Sequence, residues 1–511
     1  MNSLNSFFQR CAYAAPVALL LVSSRQALAQ SADPVCESLS SNPRLGGLSI
    51  SATHTSEGPL PPAPGLPRSS SAVVPEHCSV TAISASSADS RIEIQIWLPA
   101  PEKWNGKLLG IGNGGYSSTL YLPQMADALR RGYAVAGSDT GHKGDDLSFG
   151  AGHPEKIRDW AYRSTHEMAQ AARRVVEAYF QKPIAHRYFS GCSTGGQQAL
   201  SEAQRYPNDF DGIVAGDPGY NRISLNAMFI WSWLVTHPQG AQPFPSSKLP
   251  LLAKAAMNSC DAKDGIADGV ISDPLACHPD LTALRCESAG QENCLTENEQ
   301  HQAEELYRGP RDAKTGKQLY AGWPPGSELG WGSYFVGKNE PARLEFWRLW
   351  VFEDPHWDPH NFQFERDRNF ASDKLPFVDA TSADLAAYQR SGGKMLMYHG
   401  WADPVVPPED SIHYYEAVEK RSGASMPDFL RLFLVPGMYH CFGGPGNSVF
   451  DPLQALDNWV TTNTAPQSIS ATHDSGSATV RTRPLCPFPQ QAHWNGKGDS
   501  NDAVNFKCVT Q

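Results

Sequence analysis

Short apolar runs alternate along the chain with a longer segment of helical period, which predicts strands connected by helices. Residues 91–99 carry apolar side chains at every second position and predict a strand with one buried face. Other short runs predict strands just before Gly191 and at residues 107–111, 133–138, 212–215, 394–398 and 429–435. Helical spacing is shown by Met168, Ala171, Ala172, Val175, Val176 and Tyr179. Strands that alternate with helices indicate a mostly parallel sheet covered on both faces.

Two local patterns predict how the chain enters these elements. Ser164-x-x-Glu167 has the spacing of a capping box, which predicts a helix that starts there. Residues 30–90 are rich in Pro, Ser and Ala, and we expect them to form an irregular or loosely packed N-terminal segment pinned by Cys36 and Cys78.

The alternation stops near Pro218 and resumes at Lys394. The interval 220–383 therefore predicts an insertion, placed as a lid over the active-site face of the sheet. Its aromatic rings suit either a small core for the insertion itself or the wall of a pocket for an aromatic ring. It holds seven of the thirteen tryptophans, namely Trp231, Trp233, Trp323, Trp331, Trp347, Trp350 and Trp357.

The chain around Ser193 predicts a nucleophile elbow. Gly191-x-Ser193-x-Gly195 lies between a predicted strand and a helix-compatible segment at 197–206. Such a strand–turn–helix raises a serine oxygen clear of the sheet, and the flanking glycines avoid clashes in the tight turn. The N–H of Thr194, at the start of the helix, then points to where an oxyanion would form.

A glycine-rich turn at residues 112–115 follows an early predicted strand. It is either an ordinary strand exit or the second half of an oxyanion hole, with Gly112 as the expected donor. A phosphate-binding loop is disfavoured, because no Gly-Lys-Ser/Thr follows.

Two later turns offer an acid and a base. Asp403 lies in the loop after the predicted 394–398 strand, where the acid belongs in a Ser…Asp…His order, and Glu409 and Asp410 are its rivals. His440 follows the 429–435 strand. Cys192 precedes Ser193 and Cys441 follows His440, so a bond between these cysteines would bring nucleophile and base within reach.

The N-terminal segment and the number of cysteines indicate an exported protein. Residues 1–29 carry Arg10, an apolar stretch at 12–22 and an Ala-x-Ala site at 27–29, which predicts a signal peptide. Ten cysteines remain after its removal, an even number typical of disulfides. Net charge is −11, which argues against a nucleic-acid partner. We expect a secreted or periplasmic protein with no membrane segment in its mature form.

A cluster of acids lies in the predicted insertion. Asp261, Asp264 and Asp268 are spaced by three and four residues with glycines between them. Oxygen ligands at such spacing suit calcium, although the loop lacks the pattern of an EF-hand. The alternative is a solvated acidic turn. A disulfide from Cys260 to Cys277 would close and rigidify the loop, which would favour calcium binding.

Taken together, these motifs resemble the tannase and feruloyl esterase family. The resemblance rests on the Cys-Ser element at 191–196, Gly400-x-x-Asp403 and the His-Cys element at 436–441, and it spans the mature chain. Further matches are Trp104-Asn105-Gly106 and the segments 211–216 and 483–487.

The resemblance implies an α/β-hydrolase core, formed by residues 30–219 and 384–511, with an inserted lid that carries calcium. It implies side-chain ligands from Asp261, Asp264 and Asp268 and carbonyl ligands from Ile266 and Val270. It also implies disulfides that join Cys36 to Cys78, Cys192 to Cys441, Cys260 to Cys277, Cys286 to Cys294 and Cys486 to Cys508.

The function implied is hydrolysis of an aromatic ester, with the acyl group on Ser193 as an intermediate and with His440 and Asp403 as base and acid. Members of the family act on hydroxycinnamoyl esters, galloyl esters of tannins or terephthalate monoesters. The sequence of the predicted lid at residues 350–359 resembles the feruloyl esterases most. The substrate is then a small aromatic ester, free or attached to plant polysaccharide or tannin. A lid arginine holds the free carboxylate in the terephthalate enzymes, and the sequence does not choose among Arg343, Arg348 and Arg366.

Two other functions remain as alternatives. One is a secreted binding module on an inactive hydrolase scaffold. The other is a serine peptidase on the same core.

Overall fold

A computed structural model describes residues 33–60, 73–288, 291, 293–473 and 481–510. The predicted signal peptide, residues 1–29, lies outside the described residues. Among the helices that are described, none is both long enough and apolar enough to cross a bilayer.

The strands of the described chain are β1 Ser49–Thr55, β2 Gly58–Pro59, β3 Val73–Val74, β4 His77–Ser84, β5 Ile92–Pro99, β6 Lys107–Ile111, β7 Ala134–Ser138, β8 His186–Cys192, β9 Gly212–Gly216, β10 Lys394–Gly400, β11 Leu430–Val435, β12 Ile469–His473, β13 Arg481–Leu485, β14 Gln490–Trp494 and β15 Phe506–Thr510. Nine of them form one sheet in the order β1-β4-β5-β7-β6-β8-β9-β10-β11. The six strands from β7 to β11 in this order are parallel, and β1, β4 and β5 extend the sheet by antiparallel pairing.

Helices cover both faces of the sheet. The helices of the described chain are α1 Pro34–Ser38, α2 Leu122–Arg130, α3 Pro154–Arg158, α4 Ser164–Phe180, α5 Thr194–Arg205, α6 Arg222–Thr236, α7 Leu249–Cys260, α8 Glu297–Arg308, α9 Phe364–Lys374, α10 Ala386–Arg390, α11 Pro408–Ser422 and α12 Pro452–Thr462. Apolar side chains of α4, α5 and α11 pack on one face, and those of α2 and α12 pack on the other. This arrangement confirms the α/β-hydrolase class with a mostly parallel sheet.

The prediction of an irregular or loosely packed segment at 30–90 is wrong for much of the part that the structure describes, and its residues 30–32 and 61–72 lie outside the described residues. Strand β4 pairs along its whole length with β5, and its side chains are buried at alternate positions. Because Ser, Thr and Ala occupy many of its positions, the strand lacks the apolar signal that marks β5. Cys36 is bonded to Cys78, as expected.

The predicted capping box at Ser164 is also wrong. Helix α4 continues from α3 through one turn of π-helix at Asp159–Arg163, so Ser164 does not begin a helix. Glu167 instead accepts a hydrogen bond of 2.7 Å from the hydroxyl of Ser84. The spacing matched the motif, but the chain before it was already helical.

The stretch from α6 to α9 contributes no strand to the sheet among its described residues. It enters and leaves through one narrow neck, where the N–H of Ala380 donates to the carbonyl of Tyr220 over 2.9 Å. Beyond the neck it has a hydrophobic core, which Tyr116 and Trp160 join from the sheet side. Most of the tryptophans serve this core: Trp233, Trp323, Trp331, Trp347 and Trp350 are buried in it, and Trp231 and Trp357 pack against it half-buried.

Candidate active site

Ser193 stands in a sharp turn between β8 and α5. Its backbone has φ 64° and ψ −117°, a strained conformation for a residue with a side chain. A Cβ atom at Gly191 would lie 2.6 Å from the backbone of Gly195, so the turn closes only with glycine there. The N–H of Ser193 donates to the carbonyl of Gly216 over 2.9 Å, which ties the turn to the end of β9.

Asp403 and His440 meet at the same edge of the sheet. Nδ1 of His440 lies 2.6 Å from Oδ2 of Asp403, whose side chain is fully buried. The other oxygen of Asp403 accepts the N–H groups of Val405 and Val406 over 2.7 and 3.1 Å. Burial opposes ionisation of Asp403, but the charge of His440 and hydrogen bonds from both neighbouring histidines outweigh it and hold its pKa well below the usual range.

The other ring nitrogen of His440 is available for proton transfer. Its Nε2 is buried and has no hydrogen-bond partner in the part of the chain that the structure describes. An imidazole whose Nδ1 is held by a carboxylate presents Nε2 as a base. The hydrogen bond between a catalytic serine and its histidine often shortens only when substrate is bound.

A disulfide links the residues beside Ser193 and His440. Cys192 is bonded to Cys441, with their Cα atoms 6.0 Å apart across a sequence separation of 249 residues. The bond brings the two turns together. The other four pairings expected from the resemblance are also present, and these are Cys36–Cys78, Cys260–Cys277, Cys286–Cys294 and Cys486–Cys508.

The rival acids lie elsewhere. Asp410 is in the first turn of α11, where it accepts a hydrogen bond of 2.9 Å from the hydroxyl of Tyr320. Glu409 pairs with His413 on the same helix. Neither reaches His440, so Asp403 is the acid at this imidazole.

The prediction that Gly112 donates to the oxyanion is wrong. Its N–H already donates to the carbonyl of Ser190 over 3.0 Å, as a continuation of the β6–β8 ladder. The next N–H, that of Asn113, donates to the side chain of Gln198. Among the described residues, the N–H groups of Gly114, Gly115 and Thr194 donate no hydrogen bond. The glycine turn therefore keeps free donors, but they lie two or three residues later.

A buried arginine that the sequence analysis missed braces these donors. Arg222, the first residue of α6, donates from Nη2 to the hydroxyl of Thr194 over 2.8 Å and to the amide oxygen of Gln197 over 2.7 Å. The Thr194 hydroxyl donates in turn to the carbonyl of Gly115 over 2.8 Å. Arg222 has no ion pair among the described residues, and burial lowers the pKa of its guanidinium. No local motif marks it, because its partners come from a different element.

A second buried acid was also missed. Asp217 directly follows β9, and its Oδ1 accepts the N–H of Gly400 over 2.8 Å and lies 3.7 Å from Nε2 of His399. Burial, with repulsion from Asp403, raises the pKa of Asp217 to about 7. The signal that sequence analysis passed over is an acid at the carboxyl end of a core strand, the position that also holds Asp403.

Of the three arginines considered for a substrate carboxylate, one is unpaired. Arg348 pairs with Glu340 and Glu345, and Arg366 pairs with its neighbour Asp367. Arg343 has no ion pair among the described residues. Its guanidinium carbon lies 5.3 Å from the ring centre of Tyr116, the residue that follows the free glycine donors.

The acidic loop after α7 is folded around its first carboxylate. Oδ1 of Asp261 accepts the N–H groups of Asp268, Gly269 and Val270 over 3.1, 3.0 and 3.3 Å. Its Oδ2 and the carbonyls of Ile266 and Val270 accept no hydrogen bond in the described structure. These free oxygens are ligands of the kind that calcium takes.

The other two carboxylates are already partly engaged. Asp264 accepts from the N–H of Ile266 and the hydroxyl of Ser272. Oδ2 of Asp268 lies 2.9 Å from Arg483 and 3.4 Å from Arg481, outside the loop. Burial raises the pKa of Asp268, and repulsion from Asp264 and Asp261 adds to the rise. The donor set thus fits a hard cation in kind, with Asp268 shared between the loop and two arginines.

Comparison with known proteins agrees with this geometry. The family model described as tannase and feruloyl esterase matches residues 78–509. An uncharacterized esterase of Xanthomonas campestris pv. campestris is 35% identical over 489 residues, with 85% of each chain covered. A probable feruloyl esterase B-1 of Aspergillus flavus is 32% identical over 477 residues, which cover 88% of this chain and 90% of that one.

A solved structure is similar over nearly the whole length. Feruloyl esterase B from Aspergillus oryzae superimposes with a TM-score of 0.85 at 28% identity, and covers 93% of this chain and 99% of its own. Together with the elbow, the acid–base pair and the disulfide between them, these likenesses identify the chain as a carboxylic ester hydrolase of the tannase and feruloyl esterase family.

Proposed function

We propose that this protein hydrolyses esters of hydroxycinnamic acids through an acyl-enzyme. The observation that supports this most is the disulfide between Cys192 and Cys441, which ties the Ser193 turn to an imidazole already oriented by a buried carboxylate. The feruloyl esterases among its relatives favour a hydroxycinnamoyl acyl group over the alternatives within the family.

In the proposed reaction, the hydroxyl oxygen of Ser193 attacks the ester carbonyl and its proton passes to Nε2 of His440. Asp403 holds the imidazole by Nδ1 and stabilises its charged form. The imidazolium then protonates the leaving alcohol. Water repeats the sequence on the acyl-enzyme, which releases the acid and restores Ser193.

The developing oxyanion is proposed to lie between the N–H of Thr194 and a free N–H of the glycine turn, at Gly114 or Gly115. Donors of this kind each lower the barrier by about 3 kcal/mol. Residues 220–383 are proposed to act as the lid, with Arg222 at its first helix in contact with Thr194. The lid closes the site to water and limits the acyl groups that fit.

The test combines active-site labelling with a substrate panel. A phosphonate ester is expected to label Ser193 and to leave Ser193→Ala unmodified. Methyl ferulate, methyl caffeate, methyl gallate, a terephthalate monoester and a peptide are compared by kcat/KM, and the hydroxycinnamates should rank first. A protein that is neither labelled nor active on any ester is a binding module. Peptide cleavage without ester cleavage would make it a peptidase.

Arg343 favours a second candidate substrate, an aromatic ester that carries a free carboxylate, such as a terephthalate monoester. Arg343 lies over the ring of Tyr116, directly after Gly115, whose carbonyl accepts the Thr194 hydroxyl, so the guanidinium is close in the chain to the proposed oxyanion donors. An unpaired guanidinium there suits a carboxylate. Arg343→Gln should lower kcat/KM for the terephthalate monoester far more than for methyl ferulate, with Arg366→Gln as a matched control. Equal effects on both substrates would exclude this function for Arg343.

A structural calcium ion in the lid is proposed as well. Asp261, Asp264 and Asp268 would hold it with the carbonyls of Ile266 and Val270. The support is the all-oxygen donor set and the mutual repulsion of the carboxylates. The ion would stabilise the loop, which the Cys260–Cys277 disulfide already closes.

The five disulfides suit an oxidising compartment, and we propose that the mature protein works outside the cytoplasm, secreted or in the periplasm. Its partner is then a small aromatic ester, free or attached to plant polysaccharide or tannin.

A further inference from the structure

The carboxylate of Asp217 lies beside the proposed acid and base. Its side chain is fully buried at the carboxyl edge of the sheet. One oxygen of Asp217, one of Asp403 and a ring nitrogen of His440 lie within 4.8 Å of one another. Two acids therefore face the imidazole that is proposed to gain a proton, and only Asp403 is hydrogen-bonded to it in the described structure.

The backbone holds Asp217 in a conformation that most residues avoid. Its φ is 36°, and its N–H donates to the carbonyl of Tyr398 over 2.9 Å. Oδ1 accepts the N–H of Gly400, which lies three residues before Asp403. A strained residue persists only where its surroundings over-determine it, and such residues cluster at functional sites.

The charged and titratable groups around Asp217 come from three strand ends. Nε2 of His399 lies 3.7 Å from Asp217, 3.2 Å from Asp403 and 2.9 Å from the carbonyl of Val406, so this nitrogen carries a proton. Burial lowers the pKa of the His399 imidazole, but the two carboxylates and this carbonyl outweigh burial and raise it. Beyond His399, Asp403 and His440, the phenol of Tyr398 is also near, and burial together with the charge of Asp217 raises its pKa. Sγ of Cys192 lies 3.3 Å from Oδ2 and is uncharged in its disulfide. No Lys or Arg pairs with Asp217 among the described residues.

We propose that Asp217 is a positioning residue and a reserve acid for the triad: it holds the Asp403 loop through Gly400 and adds a second negative charge that stabilises protonated His440. Asp403 makes the direct contact and carries most of the effect. When Asp403 is neutral, Asp217 is the remaining anion next to the imidazole. This inference rests on the proposed acyl-enzyme reaction of Ser193.

A double-mutant cycle in the full-length protein tests this role. Asp217→Asn keeps the shape and an acceptor for Gly400 but removes the charge. In the wild-type background it should lower kcat/KM on methyl ferulate about threefold, because Asp403 remains. In the Asp403→Asn background the same change should cost about tenfold or more. The residual activity of Asp403→Asn should rise with pH as Asp217 ionises, and that of the double variant should not.

Controls separate charge from folding. Asp457→Asn removes another buried carboxylate, which pairs with Lys107 near the opposite edge of the sheet, and should leave the pH profile unchanged. If Asp217→Asn does not fold, Asp217→Gly, which tolerates the positive φ, takes its place in the cycle.

Equal losses in both backgrounds, or a pH profile of Asp403→Asn that ignores position 217, would overturn the role of Asp217. Wild-type activity and phosphonate labelling are measured first. Their absence would refute the proposed function itself, which is a different outcome from failure of the cycle.

Discussion

Single residues at this site are predictable where a strand ends and the chain turns at once. Ser193, Asp403 and His440 each follow a parallel strand, and the carboxyl ends of such strands meet at one edge. Arg222 and Asp217 were missed because their roles come from contacts with other elements. Gly112 was misassigned because the glycine pattern locates the turn, whereas the ladder between β6 and β8 decides which N–H remains free.

Replacement of Arg222 should slow the chemical step. Arg222→Met removes the donor that holds Thr194 and Gln197, so the proposed oxyanion donors lose their brace. We expect kcat to fall by about 10- to 100-fold with little change in KM, since the effect is on transition-state geometry. Arg205→Met, at the far end of the helix that Thr194 begins and with its cation over Tyr162, serves as control. A change confined to KM would place Arg222 in substrate binding instead.

The stability of the protein should depend on Asp217 between pH 4 and 7. The pKa of Asp217 is raised to about 7 from 3.8, so the folded state binds its proton more tightly than the unfolded state does. This contribution is fully present below the unfolded pKa and is lost as pH rises through the folded pKa. The Asp217→Asn variant has no carboxyl to titrate, so its stability should not fall in this way. Relative to wild type, its free energy of unfolding should rise by about 2–4 kcal/mol between pH 4 and 7, as measured by urea unfolding. A constant difference across this range would contradict the assignment.

Helices and strands whose apolar residues repeat with a clear period were predicted. Strands that mix small polar and apolar residues were not. Strand β5 alternates Ile and Leu with polar residues, whereas β4 alternates through Ser, Thr and Ala, and only its pairing with β5 reveals it. The spacing at Ser164 looked like a helix start, but the true capping box is Thr296 with Glu299 at the start of α8. Local spacing cannot tell whether the preceding residues are already helical.

Removal of the disulfide between the elbow and the histidine turn should affect activity more than removal of a distant one. Cys192→Ala with Cys441→Ala frees two turns that the bond holds together, and a shift of about 1 Å there costs about 100-fold in kcat. Cys486→Ala with Cys508→Ala removes a disulfide near the C-terminus and should leave kcat of the folded fraction unchanged. Similar kcat values for the two double variants would contradict the positioning role.

At the scale of the whole molecule, the acidic loop joins the insertion to the C-terminal region. Asp268 pairs with Arg481 and Arg483, both on β13, so these ion pairs connect the loop to a strand more than 200 residues later in the chain. This contact was beyond sequence analysis, which placed the acids by spacing alone. An ion in the loop would stabilise both parts at once.

Chelation should therefore lower the melting temperature before it changes the chemistry. We expect EDTA to reduce Tm by several degrees and added calcium to restore it, with kcat of the folded fraction unchanged. Asp261→Asn should already have the lower Tm and should not respond to EDTA. An unchanged Tm in the wild-type protein would rule out a structural ion.

The hydrogen bond between Ala380 and Tyr220 has a consequence for how such enzymes diversify. The two ends of the inserted stretch lie side by side, so a short linker is enough to join them. Because the described part of the stretch contributes no strand, the order of strands in the sheet stays the same. We therefore expect that an insertion of a different size can be joined at Tyr220 and Ala380, provided that it keeps Arg222 against Thr194 and Asp268 against β13. New acyl preferences would then arise from the exchanged residues alone.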